Sequence, residues 1–197
     1  MAMLASPQDL KQAPAEVYDV YNDVLAGMKF PVADPHAGIA DTTLNTGCGE
    51  TSGNPVLMNN CGMFIPPATA NGIYDEAHKA WPMLAPETWA DLVQQSKTSV
   101  HLRDRFVTPF QHRLSDLRSK GSGAWAQPNA LLFFSNVGFN KQHNQALFYV
   151  QVFSYTPHVP TGGDLFFLTL VPGGKWQVSG RLTLIQMVSE QENGTRT

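Results

Sequence analysis

Charge is scarce in this chain, at 15% of its 197 residues against roughly a quarter in ordinary soluble domains. Thr, Ser, Asn and Gln supply the missing polarity, a balance that often accompanies exported proteins. Lys and Arg number 13 against 16 Asp and Glu, for a formal net charge of -3. No basic stripe is present to neutralise a phosphate backbone, so nucleic acid is not an expected partner. Long apolar runs are missing too. The most apolar, 131–134 and 165–171, are strand-length and far short of the ~20 residues that cross a bilayer. The first nine residues contain neither the basic stretch nor the apolar stretch of a signal peptide, although a chain processed after such a signal would read the same. A phosphate-cradling G-x-x-x-x-G-K-[ST] loop is absent, so the letters Asp75-Glu76-Ala77-His78 carry no helicase meaning. A G-x-S-x-G nucleophile elbow is absent as well.

Cysteine is limited to Cys48 and Cys61, separated by a segment rich in Gly, Asn, Ser and Pro. Such a segment has little helix or strand propensity, and closing a loop of that size is worth ~3 kcal/mol in the chain-entropy model. A disulfide between Cys48 and Cys61 is the leading reading, and it implies an oxidising compartment, periplasmic or secreted. Two unrelated buried thiols and two ligands of a metal site are the alternatives. Neither a Cys-x-x-Cys nor a nearby His pair completes a tetrahedral set, so no metal is expected.

What the chain does have is apolar mass. Hydrophobic residues make up 43%, including 11 Phe, 5 Tyr and 4 Trp, enough to offset the entropy of ordering one domain of this length. Val17, Val20, Tyr21, Val24, Leu25 and Met28 recur at helical spacing after Pro14. Residues 39–44 read as a strand and 45–72 as a long loop. Tyr74, Ala77, His78 and Trp81 mark a short helix stopped by Pro82, and a second helix starts at Pro86 with Trp89, Leu92 and Val93. Residues 100–108 read as a strand and 110–117 as a short helix.

Four runs follow, 131–137, 145–153, 164–171 and 175–187, joined by short turn segments that favour antiparallel neighbours. The middle two are apolar on both faces and need cover on both sides. In the last run, alternation places Trp176, Val178, Leu182 and Leu184 on one face and Gln177, Ser179, Arg181 and Thr183 on the other. The expected fold is therefore α+β, with N-terminal helices packed on a C-terminal antiparallel meander of about four strands. The expected organisation is a disordered leader over 1–13, one domain over 14–189 and a disordered tail over 190–197.

The run Ser135-Asn136-Val137-Gly138-Phe139-Asn140, followed by Gln145-Ala146-Leu147-Phe148-Tyr149-Val150, Gly162-Gly163 and Gly173-Gly174-Lys175-Trp176, resembles a family of uncharacterised bacterial exported proteins and lipoproteins. That resemblance implies export and an α+β fold, and brings no catalytic residues with it.

Candidate chemistry rests on scattered polar side chains. Asp75 and His78 are one helical turn apart and His101 lies in a charged stretch with Arg103, Asp104 and Arg105. Converging on one pocket, Asp75, His78 and His101 would make a hydrolase-type site. The blander reading is surface pairs, and His36 with Asp34 and Asp41 matches no metal spacing. The other function class is a non-catalytic module binding a small molecule or an envelope protein. Its ligand would sit in an apolar helix–sheet pocket near Phe148, Tyr149 and Phe167, with His158 in a loop at the open end of the sheet. No cofactor is expected.

Overall fold

The computed structural model describes residues 10–27, 37–44, 67–109, 112–115, 130–154 and 161–187. Cys48, Cys61, His158, His36 and Asp34, and the expected tail over 190–197, lie outside them.

Helix α1 (Ala15–Gly27) buries Val17, Val20, Tyr21, Val24 and Leu25, the stripe its periodicity announces, and adds Tyr18. The next described segment is β1 (Ala37–Ala40). Helix α2 (Pro67–Ala80) starts earlier than its apolar spacing suggests, inside the stretch read as loop. Helix α3 (Pro86–Gln95) opens on proline, whose missing N–H is unneeded in a first turn. Six strands follow: β2 (His112–Ser115), β3 (Ala130–Phe134), β4 (Gly138–Phe139), β5 (Gln145–Ser154), β6 (Thr161–Val171) and β7 (Lys175–Met187).

The fold is mixed α and β around one mostly antiparallel sheet. Its order is β2-β1-β3-β5-β6-β7, with β4 pairing β5 beside that path. The four expected strands are present as β3, β5, β6 and β7, in antiparallel pairs. An expectation of about four was too small, because β1 and β2 add a parallel edge and β4 a short rung. Parallel partners come from distant parts of the chain, so adjacency in sequence does not announce them. Two local readings also fail. Residues 112–115 form a strand where a helix was expected, and the segment read as a strand from 100 makes only isolated bridges, from His101 to Gln12 and Thr42. Residues 10–13, expected as part of a disordered leader, are described, and two of them bond to the His101 main chain: His101 N–H donates to the Lys11 carbonyl at 2.8 Å and the His101 carbonyl accepts from Ala13 N–H at 2.9 Å.

Alternation in the strands splits the core in two. Leu132, Phe134, Ala146, Phe148, Val150, Phe166 and Leu168 meet α1, with Phe106 filling in beside them. Leu131, Phe133, Leu147, Tyr149, Leu165 and Phe167 meet Ala77, Trp81, Leu84, Trp89 and Leu92 from α2, α3 and the link between them. Both sides of the central strands are therefore covered, as their two-sided apolarity demands.

The last strand corrects a simpler picture. Register shifts opposite Gly163/Asp164 and Phe167/Leu168 interrupt its pairing with β6. Each inserts one residue and swaps the faces beyond it. Trp176 consequently packs with the α1 side, whereas Leu182 and Leu184 pack with the α2/α3 side. Arg181 lies over the Phe166 ring, on the face that Trp176 also takes.

Candidate functional site

The segment between β3 and β5 seats α3, and nearly every polar residue in it has a partner. Ser135 leaves the ladder: its hydroxyl accepts from Tyr149 N–H at 2.8 Å and donates to the Asn136 carbonyl at 2.7 Å. The Tyr21 hydroxyl donates to the Ser135 carbonyl at 2.6 Å. The Asn136 amide donates to the carbonyls of Gln95 and Thr98, at 2.6 and 2.7 Å, and so caps the end of α3. At the other end, the Gln145 side-chain oxygen accepts from Ala85 N–H and the Thr88 hydroxyl, replacing a cap that Ala85 lacks. Between them Gly138 lies against the helix, where a Cβ would overlap Leu92 N and Thr88 O. Asp91 completes the seat by accepting from Phe139 N–H at 2.8 Å. The Asn140 side chain then closes the turn by accepting from Asn144 and Gln145 N–H.

That seat forms one wall of a cleft of about 730 Å³. The cleft is also lined from the segment leading into α1 and its first turn, by Leu10, Pro14 and Val17 among others, and by Thr98, Ser99 and Val100. Apolar contact comes from Leu10, Pro14, Val17, Val137 and Phe139, and charge of both signs from Lys11, Lys141, Glu16, Glu87 and Asp91. His143 stands at the rim, its ring stacked on Phe139 at 5.1 Å and its Nδ1 3.9 Å from the Glu16 carboxylate. Its φ of 50° puts it in the left-handed region, which non-glycine residues seldom occupy without local support.

The candidates taken from the sequence lie elsewhere. Asp75 and His78 are exposed on α2, where the His78 ring stacks on Tyr74 at 5.6 Å. His101 is held by main-chain bonds to the leader, and its Nδ1 lies 3.1 Å from the Asp41 carbonyl. No hydrogen bond or ion pair joins Asp75, His78 and His101 among the described residues. Phe148, Tyr149 and Phe167 are fully buried and divided between the two sides of the sheet, Phe148 under α1 and the others under α2 and α3. They are core and cannot line one pocket. Burial, and then the Asp164 carboxylate, holds the Tyr149 phenol well above its ordinary pKa; burial, and then Tyr18, does the same to Tyr21.

A second cluster went unread. His112 Nε2 lies 2.9 Å from Asp104 Oδ1, and His112 Nδ1 lies 2.8 Å from Thr108 Oγ1. Asp104, Thr108 and His112 are four apart in sequence, and the described residues 104–109 that carry the first two are not helical. Comparison of the chain with protein-family models, with curated proteins and with solved structures gives no match.

Proposed function

We propose that this protein is an exported binding module that takes a small organic ligand, without acting on it, in the cleft between the start of α1, α3 and the β4–β5 turn. The cleft's size carries the reading: about 730 Å³ falls in the range of ~300–1,000 Å³ that holds small molecules. Its lining fits binding better than chemistry. Asp91 is tied to Phe139 and Asn136 to the end of α3, so these side chains serve as walls. Apolar side chains beside charges of both signs suit a compact amphipathic molecule. Export is supported by the sparse charge, by Cys48 and Cys61 flanking a Gly- and Asn-rich segment, and by the resemblance to exported proteins.

Isotope-edited NMR against a library of small amphipathic acids and amines tests the binding reading. A ligand should move the amides of Val17, Asp91 and Lys141, and Lys141→Glu together with His143→Ala should weaken it at least about tenfold while leaving the fold intact. A library that moves none of these amides ends the proposal. Thiol labelling of the unreduced, unfolded chain tests the compartment: Cys48 and Cys61 should resist alkylation until a reductant is added, and free thiols would remove the argument for export.

A further inference from the structure

The structure also carries a hydroxyl paired with a histidine outside the cleft lining. We propose that Thr108 is a nucleophile for acyl transfer, with His112 as its general base and Asp104 as the residue that positions His112.

The polarity of the relay follows from its ends. A carboxylate only accepts, so His112 Nε2 carries the proton shared with Asp104 Oδ1 at 2.9 Å. Nδ1 is then left as an acceptor, 2.8 Å from the Thr108 hydroxyl. This is the tautomer that can take the hydroxyl's proton. Nucleophile, base and orienting carboxylate in hydrogen-bond sequence are the arrangement that activates alcohols in unrelated hydrolases.

The loop bearing Asp104 and Thr108 is fastened from α1 at several points. The Tyr18 hydroxyl accepts from Arg103 N–H at 2.6 Å. The Asn22 side chain grips the loop twice, donating to the Arg105 carbonyl at 3.2 Å and accepting from Val107 N–H at 2.8 Å. Between these ties Phe106 is buried against Tyr18, Tyr21 and Phe134, and its ring meets the edge of His112. His112 itself sits on β2, paired in register to β1. Groups held this firmly need little reorganisation to react. The site opens outward, because Asp104 is exposed and Val107, beside Thr108, is 71% exposed. An exposed apolar side chain next to the nucleophile suits the acyl part of an ester. Among the described residues the cations flanking Asp104 are engaged, Arg103 with Gln12 and Arg105 with the Tyr18 ring, which favours a neutral carboxylic ester over a phosphoryl donor that needs charge neutralisation.

In the proposed step Thr108 Oγ1 bonds to the ester's carbonyl carbon while its proton passes to His112 Nδ1. The carbon–alkoxide bond then breaks, and the leaving group takes that proton and departs as an alcohol. Water, deprotonated by the same imidazole, releases the acyl group from Thr108 as a carboxylic acid and restores the hydroxyl.

The test uses the full chain with p-nitrophenyl acetate. Expected are a burst of nitrophenolate, an acetyl group on Thr108 found by peptide mass spectrometry, and a loss of at least about 100-fold in Thr108→Val and His112→Gln. Thr108→Ser should keep the burst. Asp104→Asn should slow it at least about tenfold and Asp104→Glu restore it, a rescue that a merely structural carboxylate would not produce in the acylation rate. An unmodified Thr108 in the wild-type chain, or a Thr108→Val chain that reacts as fast, overturns the proposal whatever the stability of the other variants.

Discussion

The two sides of the sheet are closed by different means. Under α1 the fit is made with rings. Tyr21 lies 4.7 Å from Phe134 and 5.2 Å from Phe148, and Phe148 stacks on Phe166 at 5.7 Å. Under α2 and α3 the fit depends on missing side chains: Gly138 lets the α3 backbone touch the sheet, Gly163 makes room for the Tyr149 ring, and Gly180 accepts the Trp81 indole. One side is filled by large volumes in contact, the other by close approach. Large rings tolerate small shifts of their neighbours, whereas an absent Cβ leaves no slack.

The largest expected effect tests the ring side. Tyr21→Ala removes a fully buried side chain and should cost about 4 kcal/mol in urea unfolding. On the other side, Gly138→Ala should cost about 3 kcal/mol, because a helix backbone cannot yield. Gly180→Ala should cost less, since the atoms it meets belong to the Trp81 side chain and not to backbone. Equal losses for the two glycines would show that contact with backbone and contact with a side chain weigh the same here.

An alkaline titration compares the sides directly. Burial holds both Tyr21 and Tyr149 above the ordinary phenol range, so the native state keeps protons that the unfolded chain gives up from about pH 10. Stability is full below that pH and falls as pH climbs toward the folded-state values, by up to ~1.4 kcal/mol per pH unit for each tyrosine. Tyr21→Phe should remove the α1 side's share of this slope and leave that of Tyr149, as read by urea midpoints between pH 9 and 11. An unchanged slope would mean that Tyr21 ionises as readily when folded as when unfolded. The smallest effect is at the seat of α3. Gln145→Ala removes the side chain that serves Ala85 and Thr88 and should cost about 1 kcal/mol, with hydrogen exchange accelerated in the first turn of α3 and little changed in α1.

Much of this architecture was legible in the letters. The periodicity from Val17 to Leu25 gave α1, the branched and aromatic runs gave four strands, and two-sided apolarity in β5 and β6 required cover on both faces. What escaped depends on events without a local signature. The β1–β2 edge is made between segments more than 70 residues apart in sequence, one of which, His112–Ser115, carries too few apolar residues to announce a strand. The irregular pairing of β7 divides Trp176 from Leu182, because alternation is reliable only while every residue keeps its place in the ladder.

The candidate sites were less legible still. The pattern from Ser135 to Asn140 stood out as a motif, yet Asn136 and Gly138 prove to be fittings for α3, and Ser135 a tie to Tyr149 and Tyr21. Asp104 reads in the sequence only as part of a charged stretch, since spacings of four suggest a helix face and the described residues 104–109 take no helix. Asp75 and His78, three apart, do lie on a helix, and both are exposed.

The outermost strand has one more consequence. Among the described residues the thirteen of β7 stand at the margin of the sheet with strand pairing on one side alone, and a straight margin of that length would recruit strands from neighbouring molecules. Its two interruptions coil the rim and break the even row of donors and acceptors that an incoming chain needs. What looks like disorder in the pattern thus works as protection against fibrous self-association.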